Sequence, residues 1–245
     1  MHKFGKFFED KIEYLFLNFP SLRKYIKSFI YSLVEFLISS NKIVANVYTN
    51  LFGVWGASWF DHRFDYLRGY KNYYWMERGF FSLEKIKHDS SILDIGFGDG
   101  LLDSVFYSTK AKIVEAIDID ASAVKFAKKK YSLKNLKYYK SDALTWLSRT
   151  RKYDTILMFA VLEHFTPSEG QDILKMIKKS LNANGIFYGS TPVFKSKGGH
   201  NFEHKNEFTS VEQLRNFLIK VFSKVNIYTS NWPNGRLECY FECRS

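Results

Sequence analysis

Asp94-Ile-Gly-Phe-Gly-Asp-Gly100 sets an acid ahead of three glycines at alternate positions. Glycine tolerates positive φ and lets the backbone approach a ligand closely. A helix opening at Leu101-Leu102 would aim its first N–H groups at the same place. The spacing is Gly-x-Gly-x-Gly, unlike the Gly-x-Gly-x-x-Gly of dinucleotide sites or the lysine-ended phosphate loop. An acid just before the glycines suits a cationic or amino-bearing ligand better than a pyrophosphate. Asp118 ends a second apolar run, where an acid in sheets of this type accepts ribose hydroxyls. A glycine turn that merely joins strand to helix would carry the same residues, so the neighbours must decide.

A second group of residues suits proton chemistry. His164 follows Glu163 at the end of a fourth apolar run, and the stretch 194–207 holds His200, Glu203, His204 and Glu207. Histidine titrates near neutrality, and a positioned general base contributes about 10²–10⁴-fold. His204 is the first candidate for such a base, then His164, then His200, with one of Glu163 and His164 shaping the pocket floor. Gly198-Gly199 would let the His204 loop close over an acceptor. His204 could equally be structural, tying the loop to the next helix. The His-x-x-x-His spacing lacks the Glu of the zinc motif, so acid–base or acceptor binding is favoured and no metal is expected.

The elements that must position these residues alternate strand and helix. Ile92, Leu93 and Ile95 make a first strand buried on both faces. Further strands are expected at Lys112–Ile117, Leu136–Lys140, Tyr153–Phe159 and Ile186–Ser190. Helices are expected at Leu101–Ser108, Ala121–Tyr131, Gln171–Leu181 (stopped at Asn184-Gly185) and Val211–Phe222. Lys224–Ser230 and Leu237–Cys243 form a hairpin around Trp232-Pro-Asn-Gly235. The fold class is α/β, a Rossmann-like doubly wound, mostly parallel seven-stranded sheet with a C-terminal antiparallel hairpin and an N-terminal helical extension. Residues 85–245 would be the sheet domain and residues 1–84 the extension.

On these residues the chain resembles the class I S-adenosylmethionine-dependent methyltransferases, whose first motif reads acid-x-Gly-x-Gly-x-Gly. The resemblance covers roughly residues 85–245 and implies S-adenosylmethionine as cofactor. It implies binding by Asp94, Gly96, Phe97, Gly98 and Gly100 at the methionine end, Asp118 and Ile119 at the ribose, Asp142 and Ala143 at the adenine, with Phe159 alongside. The segment before the first strand commonly covers cofactor and acceptor in such enzymes. Tyr73, Tyr74 and Arg78, with His200 and Glu203, are therefore acceptor-side candidates. One of Arg63, Arg68 and Arg78 could pair with the methionine carboxylate. Leu162-Glu-His164 is similar to the fourth motif of small-molecule enzymes, including ubiquinone-pathway O-methyltransferases. Some of those use a further acid three residues before the Glu for a metal, and this chain has Ala160 there. An Asn-Pro-Pro-Tyr-type motif is missing, and no cysteine lies near this strand end, which weakens nucleic-acid methylation.

Charge and composition bound the partners. A formal net charge of +11 points to an anionic partner such as a phospholipid surface, a phosphorylated acceptor or nucleic acid. Lys125, Lys128, Lys129, Lys130, Lys134, Lys137 and Lys140 read first as a solvated face. Cys239 and Cys243 lie four apart in one strand, roughly 13 Å apart, too far for a disulfide. Free thiols suit a reducing compartment, and no secretory signal pattern is seen, so a cytoplasmic location is expected. Residues 4–37 read as two amphipathic helices broken at Phe19-Pro20. They would pack on the catalytic domain or lie on a membrane as a peripheral contact. Ile43–Phe60 is too polar to span one. The expected function is methyl transfer to a small molecule, most readily a hydroxyl of a sugar, lipid-linked or nucleotide-linked intermediate. The alternatives are an RNA or protein methyltransferase using the lysine face, with nucleic acid disfavoured, and a catalytically silent subunit. An oligomer is compatible with all of these.

Overall fold

The structure is a computed structural model that describes residues 17–52, 63–67, 70–194, 203–233 and 235–244, together with 11 and 14. Its helices are α1 (Pro20–Phe52), α2 (Arg63–Leu67), α3 (Met76–Lys85), α4 (Leu101–Val105), α5 (Ala121–Lys130), α6 (Ala143–Leu147), α7 (Pro167–Ser180) and α8 (Val211–Leu218). The strands are β1 (Ser91–Ile95), β2 (Ile113–Asp118), β3 (Leu136–Lys140), β4 (Tyr153–Phe159), β5 (Leu181–Val193), β6 (Lys224–Asn231) and β7 (Leu237–Arg244).

Among the described residues these strands form one seven-stranded sheet in the order β3-β2-β1-β4-β5-β7-β6. The first five are parallel, and β7 runs antiparallel to both β5 and β6. The chain winds outward from β1 through β2 to β3, then restarts at β4 on the other side of β1. Ligands of open α/β sheets bind at such a reversal, beyond the carboxyl ends of the strands. Gly96 follows β1 there, and the Leu-Glu-His turn follows β4.

Alternate side chains of each strand enter opposite faces, which divides the core in two. Leu93, Ile95, Ile156, Met158, Phe187 and Phe241 pack under α7 and α8. Ile92, Val114, Leu157, Tyr188 and Tyr240 pack on the other face with Tyr107, Val124 and Ala127. Gly189 stands opposite Met158 in the β4–β5 pairing. A Cβ there would sit 2.0 Å from the Met158 carbonyl oxygen and 2.8 Å from the Phe241 ring.

Three expectations need correcting. The helix before β5 ends at Ser180, and Asn184-Gly185 lies in a register shift inside β5, which begins at Leu181 and runs to Val193. The first helix after the glycines stops at Val105 and is followed by a short 3₁₀ turn, Tyr107–Thr109. The break at Phe19-Pro20 is present, but the helix after it continues to Phe52. Most of that helix's large apolar residues stay exposed, Tyr25, Phe29 and Phe36 at 74%, 70% and 67%, while Ala45 is buried. Of the described residues, no helix is long and apolar enough to cross a membrane. By contrast α3 is packed against the sheet, with Arg78, Gly79 and Ser82 buried and the Phe106 ring filling the place of a Gly79 side chain. Cys239 and Cys243 are buried free thiols, and burial pushes the Cys239 thiol up to about 12.

Candidate active site

All three glycines of the turn have positive φ: 77° at Gly96, 65° at Gly98 and 76° at Gly100. Their surroundings differ. A Cβ on Gly96 would lie 2.3 Å from Val161 Cγ2, and one on Gly100 would lie 2.6 Å from the Tyr138 hydroxyl. A Cβ on Gly98 would meet nothing within 4 Å. Gly96 and Gly100 are therefore required by packing, whereas Gly98 faces open space. The turn is anchored by Gly96 N–H donating to the Ile117 carbonyl at 2.8 Å. Tyr138 donates its hydroxyl to the Gly100 carbonyl at 3.1 Å and packs at a tilt on buried Phe97.

Asp118 ties this turn to the end of β2. Its Oδ2 accepts from Gly98 N–H at 3.1 Å and its Oδ1 from Asp120 N–H at 2.9 Å. Each oxygen keeps a lone pair for a further donor. Burial raises the Asp118 carboxyl above its ordinary value, against these bonds. Ile119 beside it is 72% exposed. Asp142 caps α6, accepting from Thr145 N–H at 2.8 Å, and that bond lowers its pKa. Ala143 has its methyl group in the core, so only its backbone is available to a ligand.

Asp94 is buried at the end of β1 beside Asp103 of α4, which is fully buried. Burial pushes Asp94 up to about 7 and Asp103 well above the carboxylate range, with the mutual repulsion of the two acids raising Asp103 further. Neighbouring carboxylates cannot both ionise in such a place, so the pair retains a proton.

Arg78 also lies in the interior. It donates to Glu238 Oε1 at 2.8 Å, and Arg236 Nε lies 2.7 Å from Glu238 Oε2. Ser190 Oγ donates to the same Glu238 oxygen as Arg78. The Arg78 guanidinium stands 4.6 Å from the Trp75 ring centre, 5.3 Å from Trp232 and 5.9 Å from Phe159. Its carboxylate partner is thus Glu238. Arg68 and His200 lie outside the described residues, and Arg63 is on α2. Tyr74 packs on Trp232 at 4.6 Å, while Tyr73 is half exposed and meets Tyr66 edge-on.

The turn after β4 gathers the proton-handling residues. Ala160 takes a left-handed φ of 51° and donates its N–H to the Ser190 carbonyl at 2.8 Å. The 3₁₀ turn Leu162–His164 follows, closed by the α7 capping box of Thr166 and Glu169. Glu163 is 1% exposed, and its Oε2 accepts from Thr191 Oγ1 at 2.9 Å. Burial raises the Glu163 carboxyl. The Glu163 carbonyl accepts from Lys205 N–H at 2.9 Å and Asn206 N–H at 3.1 Å. Those two bonds hold the 203–207 segment against the turn. His204 consequently faces His164, ring centres 5.1 Å apart and edge to face. His204 Nδ1 lies 3.3 Å from Glu207 Oε1. Burial and the facing His164 lower the His204 pKa, against Glu207. One ligand atom each of Glu163, His164 and His204 lies within 4.8 Å of the others. Glu203 is exposed, one residue away. His204 is pinned by backbone bonds, which differs from the swinging loop expected of it.

Asp103, Thr191, Arg236 and Glu238 were not singled out by sequence reasoning. Thr191 and Glu238 meet partners 28 and 160 positions away, Glu163 and Arg78, while Asp103 and Arg236 lie in stretches that carry no recognised motif. The description "Methyltransferase domain" fits residues 92–185, the span from β1 into β5, by comparison with known families. No curated protein sequence matches the chain. Among solved structures, the N-methyltransferase NodS from Bradyrhizobium japonicum WM9 is similar over 70% of this chain and 97% of its own, at 16% identity and TM-score 0.56. DhpI, solved in complex with SAH, is similar over 84% of this chain and 94% of its own, at 15% identity and TM-score 0.55. The [4+2]-cyclase SpnF is similar over 69% and 80%, at 14% identity and TM-score 0.57. At such identities the likeness is one of fold: the chain has the Rossmann-like fold of these structures, and residues 92–185 within it match a methyltransferase domain.

Proposed function

We propose that the protein methylates a hydroxyl of a small-molecule acceptor: a sugar, lipid-linked or nucleotide-linked intermediate. S-adenosylmethionine, when bound, supplies an activated methyl group on a sulfonium. The residues fit that donor. Gly98 faces open space at the mouth of β1, Asp118 keeps acceptor capacity for hydroxyls, and Asp94 is an acid suited to an amino group. The observation that carries the hydroxyl reading is the cluster of Glu163, His164 and His204 beside the glycine turn, which Val161 of the same segment touches. A hydroxyl must lose its proton on methylation, and this cluster offers groups to steer that proton. Holding the acceptor in line supplies about 7–11 kcal/mol of the barrier reduction.

A second observation favours a lipid-linked acceptor within that class. The α1 helix exposes Tyr25, Phe29, Ile30, Phe36 and Ile38, with Arg23, Lys24 and Lys27 near its start. Apolar and basic residues on one exposed helix suit the surface of an anionic membrane. A second copy of the chain covering α1 is the competing outcome.

The test is turnover of purified protein with labelled donor and a panel of hydroxyl acceptors beside their amine analogues. Methyl found on oxygen supports the proposal. Methyl found only on nitrogen, or at a defined RNA position, overturns it. Tight donor binding with no transfer to any acceptor would favour the silent-subunit alternative. Sedimentation with anionic and neutral vesicles tests α1: binding to the anionic ones alone is expected, and a vesicle-independent dimer would assign α1 to self-association.

A further inference from the structure

We infer that Arg236, with Arg78 and the indole N–H of Trp232, binds an anionic group of the acceptor, a phosphate or a carboxylate, and so sets its hydroxyl beside Glu163, His164 and His204. This deepens the hydroxyl-methylation reading above and rests on it. Of the acceptor classes named there, the phosphate-bearing lipid-linked and nucleotide-linked ones meet the requirement, and a neutral sugar does not.

The patch is assembled from distant parts of the chain at the carboxyl edge of the parallel strands. In the turn between β6 and β7, Trp232 N–H donates to the Arg236 carbonyl at 2.8 Å, which sets both side chains at the start of β7. Glu238 of β7 stands opposite Pro192, two residues past the Ser190 that pairs with Phe159 at the end of β4. The 3₁₀ turn Tyr70–Trp75 closes the other side, with the Tyr74 and Trp75 ring centres 4.6 and 5.1 Å from that of Trp232. The Arg236 guanidinium stands 5.0 Å from the Trp232 ring centre and 5.9 Å from that of Trp75, so both arginines share the two tryptophans. They also share the Glu238 carboxylate.

What the patch lacks is acceptor oxygen. Arg78 Nε and Trp232 Nε1 are enclosed and meet no hydrogen-bond acceptor among the described residues. Both groups are donors only, and buried donors are ordinarily satisfied. A guanidinium fork matches a carboxylate or phosphate, and the tryptophan faces hold the guanidiniums by cation–π attraction. Arg78 is buried and forms the wall of the patch, whereas the Arg236 side chain is 26% exposed and forms its mouth.

Position assigns the anion to the acceptor rather than to the donor. The expected donor site lies across the ends of β1 and β2, where Asp118 meets Gly98. The patch lies beyond β4, β5 and β7, on the side of the Leu-Glu-His turn. Burial raises the Glu163 carboxyl and lowers His204, and the Arg236 charge acts on both, against burial at Glu163 and with it at His204. Arg236 is therefore within electrostatic reach of the proton-steering cluster.

The experiment uses the full chain with S-adenosylhomocysteine bound and matched probes titrated by calorimetry: glucose 1-phosphate against glucose, and salicylate against phenol. One anionic probe should bind at least about tenfold tighter than its neutral partner, as a charge-assisted contact would give. Arg236→Gln should abolish that preference and leave S-adenosylhomocysteine affinity unchanged. Arg236→Lys keeps the charge but not the fork and should retain part of the preference. Trp232→Phe keeps a ring and removes the N–H, so it should weaken the anionic probe about threefold or more and spare the neutral one. Should Arg236→Gln fail to fold, the last two variants carry the test. No preference for either anionic probe, or a preference unchanged in the folded variants, overturns the inference. So does a loss of S-adenosylhomocysteine affinity in Arg236→Gln with the probe preference intact, which would give the patch to the donor carboxylate. Methyl transfer to hydroxyls regardless of acceptor charge overturns it too and leaves hydroxyl methylation standing. Binding of anionic probes that depends on Arg236, in a protein that methylates only amines, would support the anion patch and sink the hydroxyl reading instead.

Discussion

Adding a methyl group at Gly96 should damage the protein differently from adding one at Gly98, although the two glycines share a turn and a positive φ. Alanine in the left-handed region costs about 1–2 kcal/mol at either position. At Gly98 little more is lost to stability, because the new Cβ meets nothing within 4 Å. At Gly96 it would lie 2.3 Å from Val161 Cγ2. Valine is stiff at χ1, so the segment leading to Glu163 and His164 must shift, and such overpacking costs a further 1–3 kcal/mol or so. That difference corresponds to roughly 2–12 °C in melting temperature for a chain of this size. Ligand binding should show the reverse order. The Gly98→Ala methyl projects into the space expected to receive the cofactor, so S-adenosylhomocysteine affinity should fall at least about tenfold, or 1.4 kcal/mol, with modest loss of melting temperature. Scanning fluorimetry and calorimetry on both variants make the comparison. Equal melting temperatures would refute the Val161 contact. Unchanged affinity in Gly98→Ala would refute the placement of the cofactor.

Further outcomes follow from other contacts. Burial holds the Asp94 carboxyl at about 7 in the free protein, above its unfolded value. Its contribution to stability is therefore complete below about pH 4, the unfolded carboxyl range, and lost as pH rises through about 7. A cationic donor prefers the ionised acid, so donor affinity should rise with pH up to about 7 and binding below that should release a proton. Calorimetry in two buffers of different protonation enthalpy measures it, and buffer-independent heats would count against it. Asp118→Ala removes a carboxylate acceptor and should weaken S-adenosylhomocysteine binding by about 1.5–3 kcal/mol in a folded protein, as measured by calorimetry. Gly189→Ala places a Cβ 2.0 Å from the Met158 carbonyl. It should prevent soluble folding where Gly98→Ala does not, which an expression and melting comparison would reveal.

The sheet and the glycine turn were legible because their signals are local. Apolar runs of four to seven residues marked β1 to β4 closely, and alternate glycines after an acid marked the turn. Asn184-Gly185 misled because the same pair can stop a helix or relieve an irregular stretch of strand, and only the pairing with β4 decides. The amphipathic pattern of α1 predicted a helix correctly but carries no information about what covers it. The acceptor side was least legible. His204 and His164 are forty positions apart, and what joins them is a backbone carbonyl that every residue type possesses. Arg78 and Glu238 are 160 apart and meet only because α3 packs beside β7. The Asp94–Asp103 pair depends on α4 turning back over β1, which its composition does not announce.

The two bonds from Lys205 and Asn206 to the Glu163 carbonyl use peptide groups alone. The exposed side chain of Lys205 is therefore free to change without moving His204, provided an N–H remains, whereas that of Asn206 is part-buried with its Nδ2 enclosed. Proline at either position is the exception, and it would release the histidine without touching it. A segment framed this way is suited to diversification: evolution, or a mutagenesis library, can vary the surface proposed to meet the acceptor while His164 and His204 stay in register. Acceptor range would then be the property that drifts fastest in this protein, and the donor turn, clamped by Val161 and Tyr138, the slowest.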